Sequence, residues 1–268
     1  MQIINGNDLA QNILSKLRSE VKRLAFTPLF CDILVGDDAV GASYVKIKAK
    51  RAEEIGLNFQ LIQLPGSATT DDVVAQIKKI QLEPFLAGLI IQLPLPAAID
   101  KTIVLNAIDP RVDVDGLGEL SKKMPPPTAG AVEAILDSLK LDLKPMQILV
   151  IGQGELVGKP VTNLLKNRGL NVTTADAATE NLKELSLAAD IIISGVGQPK
   201  LINDGLIKPG VILIDCGTSE SAGSIVGDVD SESVAAKAKF LAPVPGGVGP
   251  VTVAKLLQNV VRVAQDLE

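Results

Sequence analysis

The sequence predicts an α/β protein of two domains, each built on an open parallel sheet, with a cleft between them. Helical patterns alternate with short apolar runs along the whole chain. Runs such as Leu89-Ile90-Ile91 and Ile148-Leu149-Val150-Ile151 are apolar without a break, as strands are when helices cover both faces of a parallel sheet. Three consecutive prolines, Pro125 to Pro127, separate two such series, because they cannot join a helix interior or a central strand.

The first series opens with a helix whose apolar face is Leu9, Ile13 and Leu17, followed by a strand over 29–35 and a helix over about 42–55. A strand over 58–64, a helix over 71–81 and a strand over 88–92 complete it. Residues 121–127, which include Lys122 and Lys123, read as a linker. The second series has strands at 147–151, 171–175, 190–194, 211–215 and 240–242, separated by helical segments. Two long helices, 128–141 and 251–267, bracket it. The expected domains are therefore 1–120, completed by the C-terminal helix 251–268, and 121–250.

Bulk composition excludes several function classes. The 268 residues carry a net charge of −5 and 47% hydrophobic residues, with five Phe, one Tyr and no Trp. That balance argues against a polyanion-binding surface, so no nucleic-acid partner is expected. No apolar stretch is long enough to span a bilayer, and the N-terminus lacks a basic region followed by an apolar signal core, which predicts a cytoplasmic protein. Cys31 and Cys216 form no CxxC pair and read as small core residues. The absence of histidine removes every His-based triad and leaves proton transfer to Lys, Tyr, Asp or Glu, with no metal site expected.

The residues after the strand at 147–151 are Gly152-Gln153-Gly154-Glu155-Leu156-Val157-Gly158-Lys159-Pro160, with a helix beginning around Val157. Glycines here permit a tight turn and bring a pyrophosphate close to free amides at a helix N-terminus. The spacing is GxGxxxG rather than GxGxxG, and a purely structural turn is the alternative. The next strand ends in Asp176, about 20 residues on, where an acid can accept from ribose hydroxyls and repel a 2′-phosphate. This layout reads as a Rossmann-like dinucleotide-binding domain preferring NAD to NADP, with Gly152, Gln153, Gly154, Val157, Gly158, Asp176, Gly195 and Val196 as cofactor residues. Asp176 read structurally is a turn or helix-cap residue.

Tyr44 precedes Lys48 by four positions on a predicted helix, so both project from one face. A lysine beside an aromatic ring in a pocket can serve as a base, whereas Lys46, Lys48 and Lys50 could also be a solvated face. Gln92 directly follows a buried strand, where ligands of open α/β sheets bind. Asp113-Val114-Asp115-Gly116 offers carboxylates that can accept two donors from an amino-pyrimidinone edge. Pro243-Val244-Pro245-Gly246-Gly247-Val248-Gly249-Pro250 combines fixed backbone with exposed amides and reads either as a ligand wall or as a tight connection to the last helix.

Taken together, Tyr44 with Lys48, Gln92-Leu93-Pro94-Leu95-Pro96, Asp113 to Gly116, Val157 to Pro160, Gly227-Asp228-Val229 and the 243–250 loop closely resemble the bifunctional methylenetetrahydrofolate dehydrogenase/methenyltetrahydrofolate cyclohydrolase family over nearly the whole chain. The resemblance implies a homodimer whose partners are one-carbon derivatives of tetrahydrofolate. It implies Lys48, Gln92 and Tyr44 as catalytic residues, with Tyr44, Asp115, Pro245, Gly246 and Gly247 binding substrate. The implied reaction oxidises methylenetetrahydrofolate with a nicotinamide cofactor, NAD or NADP, then hydrolyses the methenyl product to formyltetrahydrofolate. Three departures stand out. Gln153-Gly154 replaces the family's Arg-Ser, which again favours NAD. Gly118 stands where the family has histidine, and the segment after it is short, which predicts a remodelled rim. Cys216 replaces a small aliphatic residue. A monofunctional dehydrogenase is the nearest alternative. A shikimate-type or amino-acid dehydrogenase, and a folate-binding protein without turnover, also fit the domain layout.

Overall fold

In the computed structural model, which describes residues 1–121, 124–221 and 224–268, the elements run β1 (Gln2–Ile3), α1 (Gly6–Val21), β2 (Leu29–Val35), α2 (Ala39–Ile55), β3 (Asn58–Leu64), α3 (Thr70–Ile80), β4 (Leu86–Ile91) and α4 (Lys101–Asn106). They continue with α5 (Pro127–Ser138), β5 (Gln147–Ile151), α6 (Gly158–Asn167), β6 (Asn171–Ala175), α7 (Leu182–Ala188), β7 (Ile191–Ser194) and β8 (Ile212–Asp215). A short antiparallel pair, β9 (Ser219–Ser221) and β10 (Ser224–Val226), precedes α8 (Ser231–Val234), β11 (Phe240–Ala242) and α9 (Val248–Asp266). Two compact units result, one of Gln11–Pro127 with Val253–Glu268, the other of Met1–Ala10 with Thr128–Thr252.

The first unit holds a three-stranded parallel sheet in the order β3-β2-β4. Every residue of β2 and β4 is buried, which is why β4, and β2 apart from Asp32, read as apolar runs, whereas β3 is partly exposed. Side chains alternate across a strand, so Cys31, Ile33 and Val35 of β2 share a core with Val73, Ile77 and Ile80 of α3 and with Val104 and Leu105 of α4. Phe30, Asp32 and Leu34 therefore occupy the opposite face. The start of α3 is fixed by a capping box: Thr69 Oγ1 accepts from the Asp72 amide at 3.2 Å, and Asp72 Oδ2 accepts from the Thr69 amide at 2.9 Å.

The second unit is built on a six-stranded sheet in the order β1-β11-β8-β7-β5-β6, whose adjacent pairs are all parallel. The first ten residues belong here, not with 11–120, because Gln2 and Ile3 pair with Phe240 and Leu241. Sequence reading misses β1 because two residues carry no period.

Other boundaries move for local reasons. The buried stripe of α1 is Ala10, Leu14, Leu17 and Val21, and the expected Leu9 and Ile13 are only half-buried. Pro127, read as linker, opens α5, where its fixed φ suits a first helical position and its missing N–H costs nothing. Lys122 and Lys123 of that linker lie outside the described residues. Helix α9 begins at Val248, so the last three residues of the 243–250 loop form its first turn.

Candidate active site and dinucleotide site

In the first unit, Lys48 is buried on α2, one helical turn after the half-buried Tyr44. Its Nζ donates to Gln92 Oε1 at 2.8 Å, and Gln92 is oriented in turn because its Nε2 donates to the Leu93 carbonyl at 2.6 Å. Gln92 follows β4 directly, so the sheet fixes its backbone. The lysine has a second partner that sequence reading missed: Asp32 of β2, wholly buried, lies with Oδ2 2.6 Å from Nζ. Burial pushes the Asp32 carboxyl up, and the neighbouring Lys48 charge opposes this without cancelling it. A single acid in an apolar run gives no periodic signal, so Asp32 becomes visible only when α2 crosses its face of the sheet.

The two carboxylates of the 113–116 segment do different work. Asp113 is structural: its Oδ1 accepts from the Gly116 amide at 3.0 Å and its Oδ2 from the Gly118 amide at 2.8 Å. A Cβ on Gly118 would stand 3.1 Å from Asp113 Oδ2 and 3.0 Å from Ser121 Oγ, so the turn at Gly118 is closed tightly around this acid. Asn259 of α9 buttresses the same segment, donating to the Val114 and Pro125 carbonyls at 2.9 and 3.0 Å. The Asp115 carboxylate makes no hydrogen bond among the described residues. Burial pushes its carboxyl up to about 6; Lys48 opposes this, and Asp113 and Asp32 add to it. An acid kept within reach of a cation and not spent on the fold is suited to hold a ligand donor.

The second unit presents the glycine turn. Gly152 has φ +87°, and a Cβ on Gly158 would overlap the Gly152 carbonyl, so β5 and α6 meet backbone to backbone. A Cβ on Gly195 would sit 2.6 Å from Val157 Cγ1, which packs the loop after β7 against the same turn. Gly154 faces open space. No side chain caps α6 at Val157. The expected row of free amides is shorter than the sequence implied, since the Lys159 amide donates to the Gly154 carbonyl at 3.1 Å and Pro160 has no N–H. The Gly158 amide has no partner among the described residues. Gly158→Ala is expected to cost about 1–3 kcal/mol, the usual range for overpacking, read as a lower urea midpoint at unchanged slope.

Gln153 folds back on this turn, donating to the Gly152 carbonyl at 2.9 Å. Asp176 is exposed at the end of β6, where its Oδ1 accepts from the Ala178 amide at 3.0 Å and the Thr179 hydroxyl at 3.2 Å. The turn reading of Asp176 is thus realised on one carboxylate oxygen. Beyond β7, the buried Asp228 organises 194–198, with Oδ2 accepting from Ser194 Oγ at 2.7 Å and the Val196 amide at 2.8 Å, and Oδ1 from the Gln198 amide at 2.8 Å. Asp215 holds the segment that carries Asp228, accepting from the amides of Gly217, Asp228 and Val229. Gly217 and Gly227 are required because a Cβ on either would overlap one of these carboxylates. Sequence reading assigned neither acid a role; the flanking glycines were the available sign.

Pro245, Gly246 and Gly247 belong to the second unit, and Lys48 and Asp115 to the first. Gly246 has φ +96° and its carbonyl accepts from the Gly6 amide at 2.8 Å, which ties the loop to the start of α1. Both cysteines are buried. Burial first, then the charges of Glu83 and Asp32, push the Cys31 thiol up to about 12, and burial raises Cys216 as well, so both are held as thiols.

Residues 4–115 match the model of the tetrahydrofolate dehydrogenase/cyclohydrolase catalytic domain, and residues 126–268 match that of the tetrahydrofolate dehydrogenase/cyclohydrolase NAD(P)-binding domain. A bifunctional protein FolD from Nautilia profundicola is 40% identical, with 99% of this chain and 98% of the relative covered. One from Lactobacillus acidophilus is 39% identical, with 98% and 97% covered. The crystal structure of the bifunctional methylenetetrahydrofolate dehydrogenase/cyclohydrolase FolD from Campylobacter jejuni superimposes with a TM-score of 0.96 at 33% identity over the full length of both chains. The Trypanosoma brucei enzyme, solved with NADP and an inhibitor, gives 0.93 at 31% identity, covering 99% of this chain and 97% of that one.

Proposed function

The chain belongs to the tetrahydrofolate dehydrogenase/cyclohydrolase family, and we propose that its two units carry out the two steps of that name through the residues placed above. It is a bifunctional enzyme of one-carbon metabolism, oxidising methylenetetrahydrofolate to methenyltetrahydrofolate and hydrolysing the product to formyltetrahydrofolate. The observation that carries the assignment of residues is the contact of Lys48 with Gln92 beside an Asp115 that is not spent on the fold.

Asp115 accepts the amino and ring N–H donors of the pterin, and Tyr44 packs on the folate ring. With the folate so held, the one-carbon bridge needs only orientation for its hydride to leave, and its product is a cationic carbon. Lys48 then governs the proton transfers of water addition and ring opening, while Gln92 fixes the direction of its amine.

The glycine turn, the uncapped start of α6 and the loop held by Asp228 fit a dinucleotide. When bound, the nicotinamide dinucleotide supplies the hydride acceptor. Within this reading Gly152, Gly154, Val157 and Gly158 face its pyrophosphate, Gly195 and Val196 its nicotinamide end, and Asp176 its ribose. The acid at Asp176 and the Gln153-Gly154 pair, which brings no cation to a 2′-phosphate, favour NAD over NADP. We also take the enzyme to be a cytoplasmic homodimer without nucleic-acid or membrane partners. The net charge of −5 argues against a nucleic-acid partner, and no helix among the described residues is long and apolar enough to cross a membrane.

The test follows reduced cofactor by absorbance with methylenetetrahydrofolate and either NAD or NADP, then the decay of methenyl product. Faster turnover with NAD and enzymatic decay of the product are expected. Faster turnover with NADP would remove the role given to Asp176, and oxidation without hydrolysis would make the enzyme a monofunctional dehydrogenase. Folate affinity gives a second check. Because only ionised Asp115 accepts two donors, and its carboxyl is pushed up to about 6, affinity should fall by up to about tenfold per pH unit below that value. Asp115→Asn should bind weakly at every pH and lose this slope, read by fluorescence titration between pH 5 and 8.

A further inference from the structure

We propose that Asp32 acts through Lys48 as the proton store of the hydrolytic step, taking the proton that Lys48 must shed before its amine can activate water. The inference rests on the reading of Lys48 given above and assigns a new residue to it.

Asp32 occupies the least favourable place for a carboxylate in the first unit. It sits at the middle of the central strand β2, paired with Leu61 and Ile90 on its two neighbours, and is 0% exposed. Lys48 Nζ forms an ion pair with it, 2.6 Å from Oδ2, and neither carboxylate oxygen, both buried, has any other polar partner among the described residues. A buried ion pair is a weak source of stability, since apolar residues of similar volume serve as well or better. Its value here is chemical, because the pair touches the group that handles the reaction's protons.

The groups facing the pair are few. Tyr44 stands one turn earlier on α2, Gln92 binds the same ammonium from the end of β4, and Asp113 and Asp115 bring charge from the segment after α4. Cys31, next to Asp32 on β2 and held as a thiol by burial, stays out of the exchange, and the positions paired with Asp32 on β3 and β4 are apolar. Burial already biases Asp32 toward holding a proton.

The proton balance closes on these two residues. At rest the pair is an ammonium and a carboxylate, neutral in sum. A bound methenyl cation repels the ammonium, and transfer of one proton to Asp32 leaves an amine and a carboxylic acid, still neutral in sum. The water oxygen bonds to the methenyl carbon as Lys48 takes a water proton. Lys48 returns that proton to the departing ring nitrogen as the carbon–nitrogen bond breaks, then takes the hydroxyl proton as the formyl carbonyl forms. Asp32 releases its stored proton to solvent, which is the single proton that hydrolysis of a cation to a neutral product must yield, and the resting pair is restored.

Such a dyad is active whenever it holds one proton, so hydrolysis fails at low pH only when both groups are protonated. An isolated buried amine must instead lose its proton outright. The acid limb of hydrolysis by Asp32→Asn, measured on methenyltetrahydrofolate from pH 5.5 to 9, is therefore expected about one unit or more toward alkaline pH of the unsubstituted enzyme's limb. Asp32→Glu should restore its position. A limb that stays in place, or moves toward acid, would overturn the store and leave Asp32 as packing or as a mere counter-charge. Should Asp32→Asn fail to fold, rapid-scan infrared difference spectra of the unsubstituted enzyme decide the question. Binding of methenyltetrahydrofolate should raise a carboxylic-acid band that Asp32→Glu displaces, and no such band would end the proposal. Failure of the unsubstituted enzyme to turn over methylenetetrahydrofolate would instead count against the reading of the site itself.

Discussion

Lys48→Met should abolish hydrolysis of methenyltetrahydrofolate, by at least about 10²-fold as for loss of an acid–base group, while folate is still bound. It should also unsettle the fold far more than a surface lysine would. The substitution leaves Asp32 buried without its cation, and removing one partner of a buried pair costs about 3–5 kcal/mol. The pH dependence has a definite sign. The Asp32 carboxyl is raised in the folded chain even with Lys48 present, and more so without it. A raised group's contribution to stability is fully present below its unfolded value, near 4, and is lost as pH rises through the folded value. The variant should thus lie closest to the unsubstituted protein in acid and furthest from it at neutral pH. Urea midpoints at pH 4.5 and pH 8 test this. Adding Asp32→Val should recover most of the loss at pH 8 without recovering hydrolysis. An additive double variant would show that the two residues are not coupled.

The contrast between Lys48 and Asp32 shows what the chain makes legible. The Tyr44–Lys48 spacing alone leaves a solvated helix face open, and only the family resemblance carried by Tyr44, Lys48 and Gln92 together singles Lys48 out from sequence. Asp32 is read as one polar letter in Leu29–Val35, and its meaning depends on α2 crossing that face, a contact between chain segments 16 residues apart in number. The same limit explains α1, where Leu9-Ile13-Leu17 and Ala10-Leu14-Leu17 both have helical spacing and only the packed partner selects the second. Strands β2, β4, β5 and β7 are legible because burial makes them apolar except at Asp32, Gln147 and Ser194, whereas β1, β9 and β10 are too short to announce themselves.

The other large effect is expected at Asp228, where the fold and the loop proposed to hold the cofactor share one carboxylate. Three donors converge on it: Ser194 Oγ, the Val196 amide and the Gln198 amide. Asp228→Asn keeps the shape but replaces one acceptor oxygen by an NH2 group. Whichever way the amide turns, at least one of these donors then faces a donor at the buried Asp228 side chain. A loss of about 2–4 kcal/mol in unfolding free energy is expected from one or two unsatisfied buried groups. Because Val196 and Gln198 lie in the loop proposed to meet the nicotinamide end of the cofactor, the Michaelis constant for the nicotinamide dinucleotide should rise by about tenfold or more, while that for folate should change little. Asp215 offers the internal control. It also accepts three backbone amides, but those of Gly217, Asp228 and Val229, one shell further from the loop. Asp215→Asn should cost similar stability with a smaller effect on the dinucleotide constant. Equal effects of the two variants on that constant would mean that the loop responds to general loosening of the second unit, and not to the bonds Asp228 makes.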